Sequence, residues 1–89
     1  MKCFMMESDK NGIYFHNYRR ISPDEELRKV QSILKEKNIT ICKKHETPLD
    51  DLYDCEIAGK SFTIVRTEEE TFLYAESADT IEELLKIFE

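Results

Sequence analysis

The chain has 89 residues, of which 40% are hydrophobic and 36% are charged. This length predicts one domain over residues 1–89 with a modest core, and the apolar content excludes a disordered chain. No apolar run approaches the roughly 20 residues that span a bilayer. The apolar start is also too short for a secretory signal, so we expect a cytoplasmic protein that does not contact membranes.

The formal net charge of −6 is divided unevenly along the chain. Residues 1–44 hold ten Lys and Arg against six Asp and Glu, whereas residues 45–89 hold three against thirteen. Such asymmetry can serve self-association or binding to a charged partner, but it can also have no functional meaning, because the two halves of so small a fold interleave in space. The three cysteines are an odd number without a secretory signal, so we predict free thiols rather than a disulfide framework.

The first turn signal is Asn11-Gly12, a pair that is typical of a two-residue type I′ hairpin. A turn there pairs Lys10 with Ile13 and Ser8 with Phe15. This register assigns four apolar side chains to one face: Phe4, Met6, Ile13 and Phe15. The opposite face then carries ring and cationic side chains: Tyr14, His16, Tyr18 and Arg20.

A helix is predicted to begin after Ser22. Ser22 is the expected N-cap, Pro23 takes the first helical position and Glu25 completes a capping box. Apolar residues then recur at helical spacing: Leu27, Val30 and Leu34, with Ile33 at the margin. Asn38 is expected to end the helix in the left-handed conformation.

The side-chain pattern of residues 39–44 alternates as in a strand. A loop is predicted over residues 45–51. Ile39 and Ile41 are expected to face the helix, and Thr40 and Cys42 to face away. Pro48 and the pair Asp50-Asp51 mark the loop.

Residues 52–75 read as three strands joined by two tight turns. Gly59-Lys60 fits a type II′ turn with Gly first. The implied apolar face pairs Ile57 with Phe62, Cys55 with Ile64, and Tyr53 with Arg66. The opposite face pairs Glu56 with Thr63 and Asp54 with Val65. The second turn, near residues 68–70, leaves open the face on which Phe72 and Tyr74 lie.

Residues 77–89 predict a second helix, with Asp79 as N-cap and Glu82 three residues later. Its apolar stripe consists of Ile81, Leu84, Leu85 and Phe88. The element order is therefore β-β-α-β-β-β-β-α. Short connections favour a mostly antiparallel sheet, and two amphipathic helices favour packing on one of its faces. The predicted class is α+β.

The sequence indicates neither an active site nor a metal site. Zinc needs four converging ligands, whereas strand alternation puts Cys42 and Cys55 on opposite faces. Two glycines cannot form a phosphate-binding loop, and Cys–His catalysis would lack an orienting third residue and an evident oxyanion hole. We expect no catalytic residues, no metal and no cofactor. The reactivity of Cys42, which precedes Lys43, Lys44 and His45, is left open.

The leading hypothesis is a small acidic, non-catalytic domain that binds another protein or a second copy of itself. One version is an immunity or inhibitor protein, whose acidic surface occupies a basic site on its target. The expected binding surface is the polar face of the sheet. Its residues are Asp54, Glu56, Thr63, Val65 and Tyr74.

The alternative hypothesis is a nucleic-acid-binding module in the basic N-terminal half. Basic residues interleaved with aromatic residues can hold a single strand. The residues of this second site are Arg19, Arg20, Lys43 and Lys44. The sequence pI near 5.0 disfavours this alternative.

Overall fold

The computed structural model describes residues 2–17 and 19–88. The elements in chain order are β1 (Cys3–Met6), β2 (Asp9–Phe15), α1 (Pro23–Glu36), β3 (Thr40–Glu46), β4 (Asp51–Ile57), β5 (Lys60–Arg66), β6 (Thr71–Tyr74) and α2 (Ala78–Phe88). The six strands form one antiparallel sheet in the order β1-β2-β6-β5-β4-β3. The predicted α+β class and element order are confirmed. Tyr18 and Glu89, which the sequence assigned to a strand face and to the last helix, lie outside the described residues.

Both helices pack on the same face of the sheet and bury the core. Helix α1 contacts β5 and β6, while α2 contacts β1, β2 and β5. Each helix turns its apolar stripe inward, as its spacing predicts. The buried apolar residues are Ile13, Phe15, Leu27, Val30, Leu34, Cys55, Phe62, Ile64, Leu73, Ala75, Ile81, Leu84 and Phe88. In the described part of the chain, neither helix is long and apolar enough to cross a membrane.

The start and end of α1 are confirmed. Ser22 is the N-cap, and its Oγ accepts the Glu25 N–H at 3.2 Å. Pro23 takes the first helical position. Asn38 follows the helix with a φ of 59°, the left-handed conformation that ends many helices.

Glu26, in the first turn of α1, is only 2% exposed, which the sequence did not indicate. Its Oε1 accepts the Thr71 N–H at 3.3 Å, and Thr71 Oγ1 donates to the Pro23 carbonyl at 2.8 Å. These bonds connect the helix start to β6. Burial raises the pKa of Glu26 above its ordinary value, because a carboxylate loses solvation there.

The predicted turn at Asn11-Gly12 is wrong. The chain reverses at residues 7–8, and Asn11 and Gly12 lie inside β2. Phe4 is opposite Tyr14 and Cys3 is opposite Phe15. Since this register differs from the predicted one by an odd number of residues, Phe4 changes face. It joins Tyr14, while Ile13 and Phe15 remain in the core.

The turn between β4 and β5 is also displaced, but the predicted faces are correct. The turn residues are Ala58 and Gly59, both with positive φ (50° and 78°), as a type I′ turn requires. Cys55 is therefore opposite Phe62, and Asp54 is opposite Thr63. The register moves by two residues. Because side chains alternate with a period of two, every residue keeps its predicted face.

Two four-residue loops of the same construction join β3 to β4 and β5 to β6. In each loop a threonine at the start, Thr47 or Thr67, bonds to the residue three positions on. Thr47 N–H donates to the Asp50 carbonyl at 2.8 Å, and Thr67 N–H donates to the Glu70 carbonyl at 2.8 Å. Each threonine hydroxyl also accepts the N–H of that same residue. The loop from Thr67 sets the register of β6 and so settles the face of Phe72.

The remaining boundaries differ from the predicted ones by a few residues. Strand β3 continues to Glu46, so the loop predicted over residues 45–51 is shorter. Ile39 and Ile41 are partly buried against the core, and Thr40 and Cys42 are exposed, as expected. Helix α2 begins at Ala78, and the Ile81 N–H donates to the Ser77 carbonyl at 3.2 Å. Asp79 therefore lies in the first turn and is not the N-cap.

Candidate functional site

The sheet face opposite the helices, here called the outer face, carries an apolar row that crosses five strands. Val65 lies opposite both Phe72 and Leu52, and Tyr14 lies opposite Phe4. Tyr14 and Phe72 stack with ring centroids 5.1 Å apart, which joins β2 to β6 across the sheet. All members of this apolar row are partly exposed: Phe4, Tyr14, Phe72, Val65 and Leu52.

The five predicted binding residues all lie on the outer face. Thr63 is opposite both Asp54 and Tyr74 on its two neighbouring strands. Val65 is a member of the apolar row, and Glu56 is opposite Ser61 at the far end of β4. The Tyr74 side chain is 41% exposed. The four-residue loop thus places Phe72 and Tyr74 on the outer face, the point that the sequence left open.

Strand β6 separates from β5 immediately after Tyr74. The pairing of the two strands ends at Thr63 and Tyr74, and the Ala75 N–H donates to the Asn11 carbonyl on β2 at 2.9 Å. The Asn11 side-chain amide donates to the carbonyls of Ala75 at 2.8 Å and Glu76 at 3.2 Å. Residues 75–76 are therefore held against β2 and away from β5.

A hollow of about 720 Å³ occupies the gap that this separation leaves. Its walls are the start of β5, the connection from β6 to α2 and the adjoining part of β4. Three carboxylates line it, those of Asp54, Glu56 and Glu76, and all three residues are exposed. The outer-face residues around the hollow are Asp54, Glu56, Ser61, Thr63, Tyr74 and Glu76. This volume is within the range of small-molecule and side-chain binding pockets.

Lys60 lines the hollow and is engaged by a carboxylate, and the His45 ring lies beside another carboxylate. Lys60 Nζ lies 2.9 Å from Glu83 Oε1 on α2. His45 Nε2 lies 2.7 Å from Asp54 Oδ2. Among the described residues, neither Glu56 nor Glu76 has an ion-pair partner, so both keep their negative charge uncompensated.

The four residues of the alternative nucleic-acid site are not brought together. Lys43 is opposite Asp54 on the outer face, whereas Lys44 is opposite Tyr53 on the helix-bearing face. Lys44 Nζ also lies 3.0 Å from Glu46 Oε1. Arg19 and Arg20 follow β2, and three strands separate β2 from β3, which is about 19 Å at ordinary strand spacing.

The cysteines occupy different environments. Cys55 is 2% exposed, and burial raises the pKa of its thiol to about 12, so it stays protonated and unreactive. Cys42 is exposed at an irregularity of β3, where the register shifts between Ile41 and Lys43, and it lines the hollow. Within residues 2–17 and 19–88, no three His, Cys, Asp or Glu side chains are grouped so that they could hold a metal ion.

Two features of the outer face escaped the sequence-based prediction. Phe4 was predicted on the core face, whereas it lies in the apolar row opposite Tyr14. The signal for Phe4 was the run Phe4-Met5-Met6, which fits no strict alternation and so left the register of β1 free. The role of Asn11 had no local signal, because its partners are more than sixty residues away in sequence.

Comparison with known proteins gave no match: no protein-family model, no curated protein and no solved structure is similar to this chain.

Proposed function

We propose that this chain is a non-catalytic protein-interaction domain that binds its partner through the outer face. The observation that carries this proposal is the apolar row, which runs across a face of the sheet on which neither of the described helices packs. A partly exposed apolar row bordered by polar side chains is typical of a surface that another protein covers.

The apolar row crosses five strands of the sheet, so a partner that covers it contacts most of the width of the sheet. A sheet face also presents rigid side chains in fixed register, so little conformational entropy is lost when a partner docks.

The charges favour a different protein as the partner over a second copy of this chain. Two copies would each bring a net charge of −6, so they would repel each other on approach. Like charges opposed in an interface are unfavourable. An immunity or inhibitor protein that covers a basic site on its target is the version of the proposal that this charge supports.

Site-specific photocrosslinking in cells that express this protein tests the proposal. A photoreactive phenylalanine analogue at Tyr74 is expected to give a covalent adduct of defined mass, because Tyr74 is exposed on the outer face. The same analogue at Glu82, which is exposed on α2, is the matched control and is expected to give no such adduct. Adducts at Glu82 with none at Tyr74 would contradict the proposal. Sedimentation velocity of the purified chain is expected to show a monomer.

A further inference from the structure

We infer that the partner inserts an arginine or lysine side chain into the hollow between β5 and the β6–α2 connection. This inference rests on the proposed function and names the chemistry of the partner. The apolar row would then supply the contact area, and the hollow would supply the charge recognition beside it.

The first argument is the charge around the hollow. Glu56 and Glu76 border it without an ion-pair partner among the described residues, whereas the cation Lys60 is engaged by Glu83 at 2.9 Å. A cation that enters the hollow therefore meets acceptors that need not first break another ion pair. The net charge of −6 adds a long-range attraction for a basic partner.

The second argument is the main chain of β5. Pairing between β5 and β6 ends at Thr63 and Tyr74, while β5 remains paired with β4 through Ser61 and Phe62. Successive residues of an antiparallel strand direct their N–H and C=O groups alternately to the two neighbouring strands. One of the two residues Ser61 and Phe62 therefore directs both its N–H and its carbonyl into the gap. A carbonyl together with two carboxylates makes a set of acceptors that suits the five N–H donors of a guanidinium.

The third argument is the ring of Tyr74, which borders the same hollow and is 41% exposed. A cation over the face of an exposed aromatic ring is attracted by the negative face of the ring. The stem of an arginine or lysine is apolar and can lie along the ring while its charge reaches the carboxylates. By contrast, a phosphate from a nucleic acid or an anionic lipid would be repelled by Glu56 and Glu76.

The test uses the full chain, labelled with nitrogen-15, and two small probes of nearly identical shape. N-acetyl-arginine amide carries the charge, and N-acetyl-citrulline amide is its neutral counterpart. The arginine probe is expected to shift the amide signals of Thr63, Tyr74 and Glu76, while the citrulline probe leaves them in place. The shifts are expected to decrease from low salt to about 0.3 M salt, because the interaction is partly exposed.

Variants of the carboxylates test whether the arginine probe binds in the hollow. The double variant with Glu56→Gln and Glu76→Gln is expected to bind the arginine probe about tenfold more weakly. Glu82→Gln, on the exposed side of α2, removes the same charge elsewhere and is expected to leave binding unchanged. The dispersion of the amide spectrum reports whether each variant is folded. A variant that has lost its fold is replaced by the single variant Glu76→Gln, for which a smaller loss of affinity is expected.

Three results would overturn the inference. They are equal shifts with citrulline, arginine shifts spread over α2, and full affinity in the folded double variant. Failure of this inference is distinguishable from failure of the proposed function. Crosslinks at Tyr74 combined with no arginine binding would keep the interaction face and reject a basic partner. Arginine binding without crosslinks would reject the interaction face as proposed.

Discussion

Asn11 and Ala75 are joined by a reciprocal pair of hydrogen bonds. The Ala75 N–H donates to the Asn11 carbonyl at 2.9 Å, and the Asn11 side-chain amide donates to the Ala75 carbonyl at 2.8 Å. The same amide reaches the Glu76 carbonyl at 3.2 Å. These bonds draw the end of β6 towards β2, and the hollow opens on the other side. A residue typical of turns thus shapes the candidate site from inside a strand.

Replacement of Asn11 by alanine is expected to destabilise the fold by about 1–2 kcal/mol, because it removes the partly buried hydrogen bond to the Ala75 carbonyl and the exposed one to the Glu76 carbonyl. Urea unfolding followed by circular dichroism measures this change as a lower midpoint with an unchanged slope. Lys10→Ala, at the exposed neighbouring position, is the control and is expected to stay within about 0.5 kcal/mol of the wild type. An unchanged midpoint for Asn11→Ala would show that these bonds do not hold the β6–α2 connection.

Substitution of either glycine by alanine is expected to destabilise the fold, but for different reasons. A Cβ on Gly12 would lie 2.8 Å from Asp9 Oδ2 and 2.9 Å from Tyr14 Cε2. Gly12→Ala therefore disturbs the Tyr14–Asp9 hydrogen bond of 2.8 Å and is expected to cost about 1–3 kcal/mol. A Cβ on Gly59 would meet no described atom within 4 Å, but the φ of 78° makes Gly59→Ala cost about 1 kcal/mol.

Asparagine separates these two causes, because it tolerates positive φ but is larger than alanine. Gly59→Asn is expected to be more stable than Gly59→Ala, whereas Gly12→Asn is expected to be less stable than Gly12→Ala. Thermal or urea unfolding of the four variants provides the measurement. The same rank order at both positions would contradict the assignment of strain to Gly59 and of crowding to Gly12.

The raised pKa of Glu26 predicts that the stability of the fold depends on pH. Burial, reinforced by the nearby Glu70, raises the pKa of Glu26 above 4.5, although the Thr71 N–H opposes this. The folded state then binds the proton more tightly than the unfolded state. The stability contributed by protonated Glu26 is fully present below about pH 4.5 and is lost as the pH rises through the raised pKa.

Glu26→Gln keeps an acceptor for the Thr71 N–H but cannot ionise. We expect it to be more stable than the wild type at pH 7, on the order of 1 kcal/mol, and to lose this advantage at pH 4. Urea unfolding at both pH values measures the difference. Glu25→Gln, in the same turn but exposed, is the control for the helix dipole. A gain that is equal at both pH values would contradict the burial of an ionised carboxylate.

The cysteines are expected to react at very different rates. Cys42 is exposed and is expected to be alkylated in the folded protein at pH 8, whereas Cys55 is buried with a thiol pKa of about 12 and is expected to react only after unfolding. Peptide mass spectrometry after a short pulse of iodoacetamide assigns each site. The Cys42→Ser variant shows whether the folded-state reaction at that site is lost. Alkylation of Cys55 as fast as Cys42 in the folded state would contradict its burial.

The faces of the central strands were predictable although their turn was not. Gly59 was recognised as a turn residue, but it occupies the second turn position after Ala58, and the register moved by two. An even displacement keeps each side chain on its face, so Cys55 and Ile64 still pointed into the core. In β1 the displacement was odd, and Phe4 consequently moved to the outer face. An error of an even number of residues in the predicted register therefore leaves each side chain on its predicted face, whereas an odd error moves it to the other face.

The candidate site was predictable to the extent that it follows from local alternation. Four of its residues share a face because of their spacing on two strands joined by a short turn. Asp54 and Glu56 are two residues apart on β4, Thr63 and Val65 are two apart on β5, and Asp54 is opposite Thr63. The face of Tyr74 depended on a loop length that Glu68-Glu69-Glu70 did not specify, since the determining bonds are made by Thr67. Arg19 and Lys43 were grouped in one predicted basic site, but Arg19 follows β2, and three strands separate β2 from the β3 strand that carries Lys43.

The sequence by itself determined the elements, their order and the apolar faces of both helices, because caps, turn residues and hydrophobic periodicity act over only a few residues. Only the tertiary structure decided the order of the strands, the burial of Glu26, and the opening between β5 and β6. Each of these depends on contacts between residues far apart in the chain, such as Glu26 with Thr71 and Asn11 with Ala75. Such pairings are settled by the packing of the whole domain, and no local pattern encodes them.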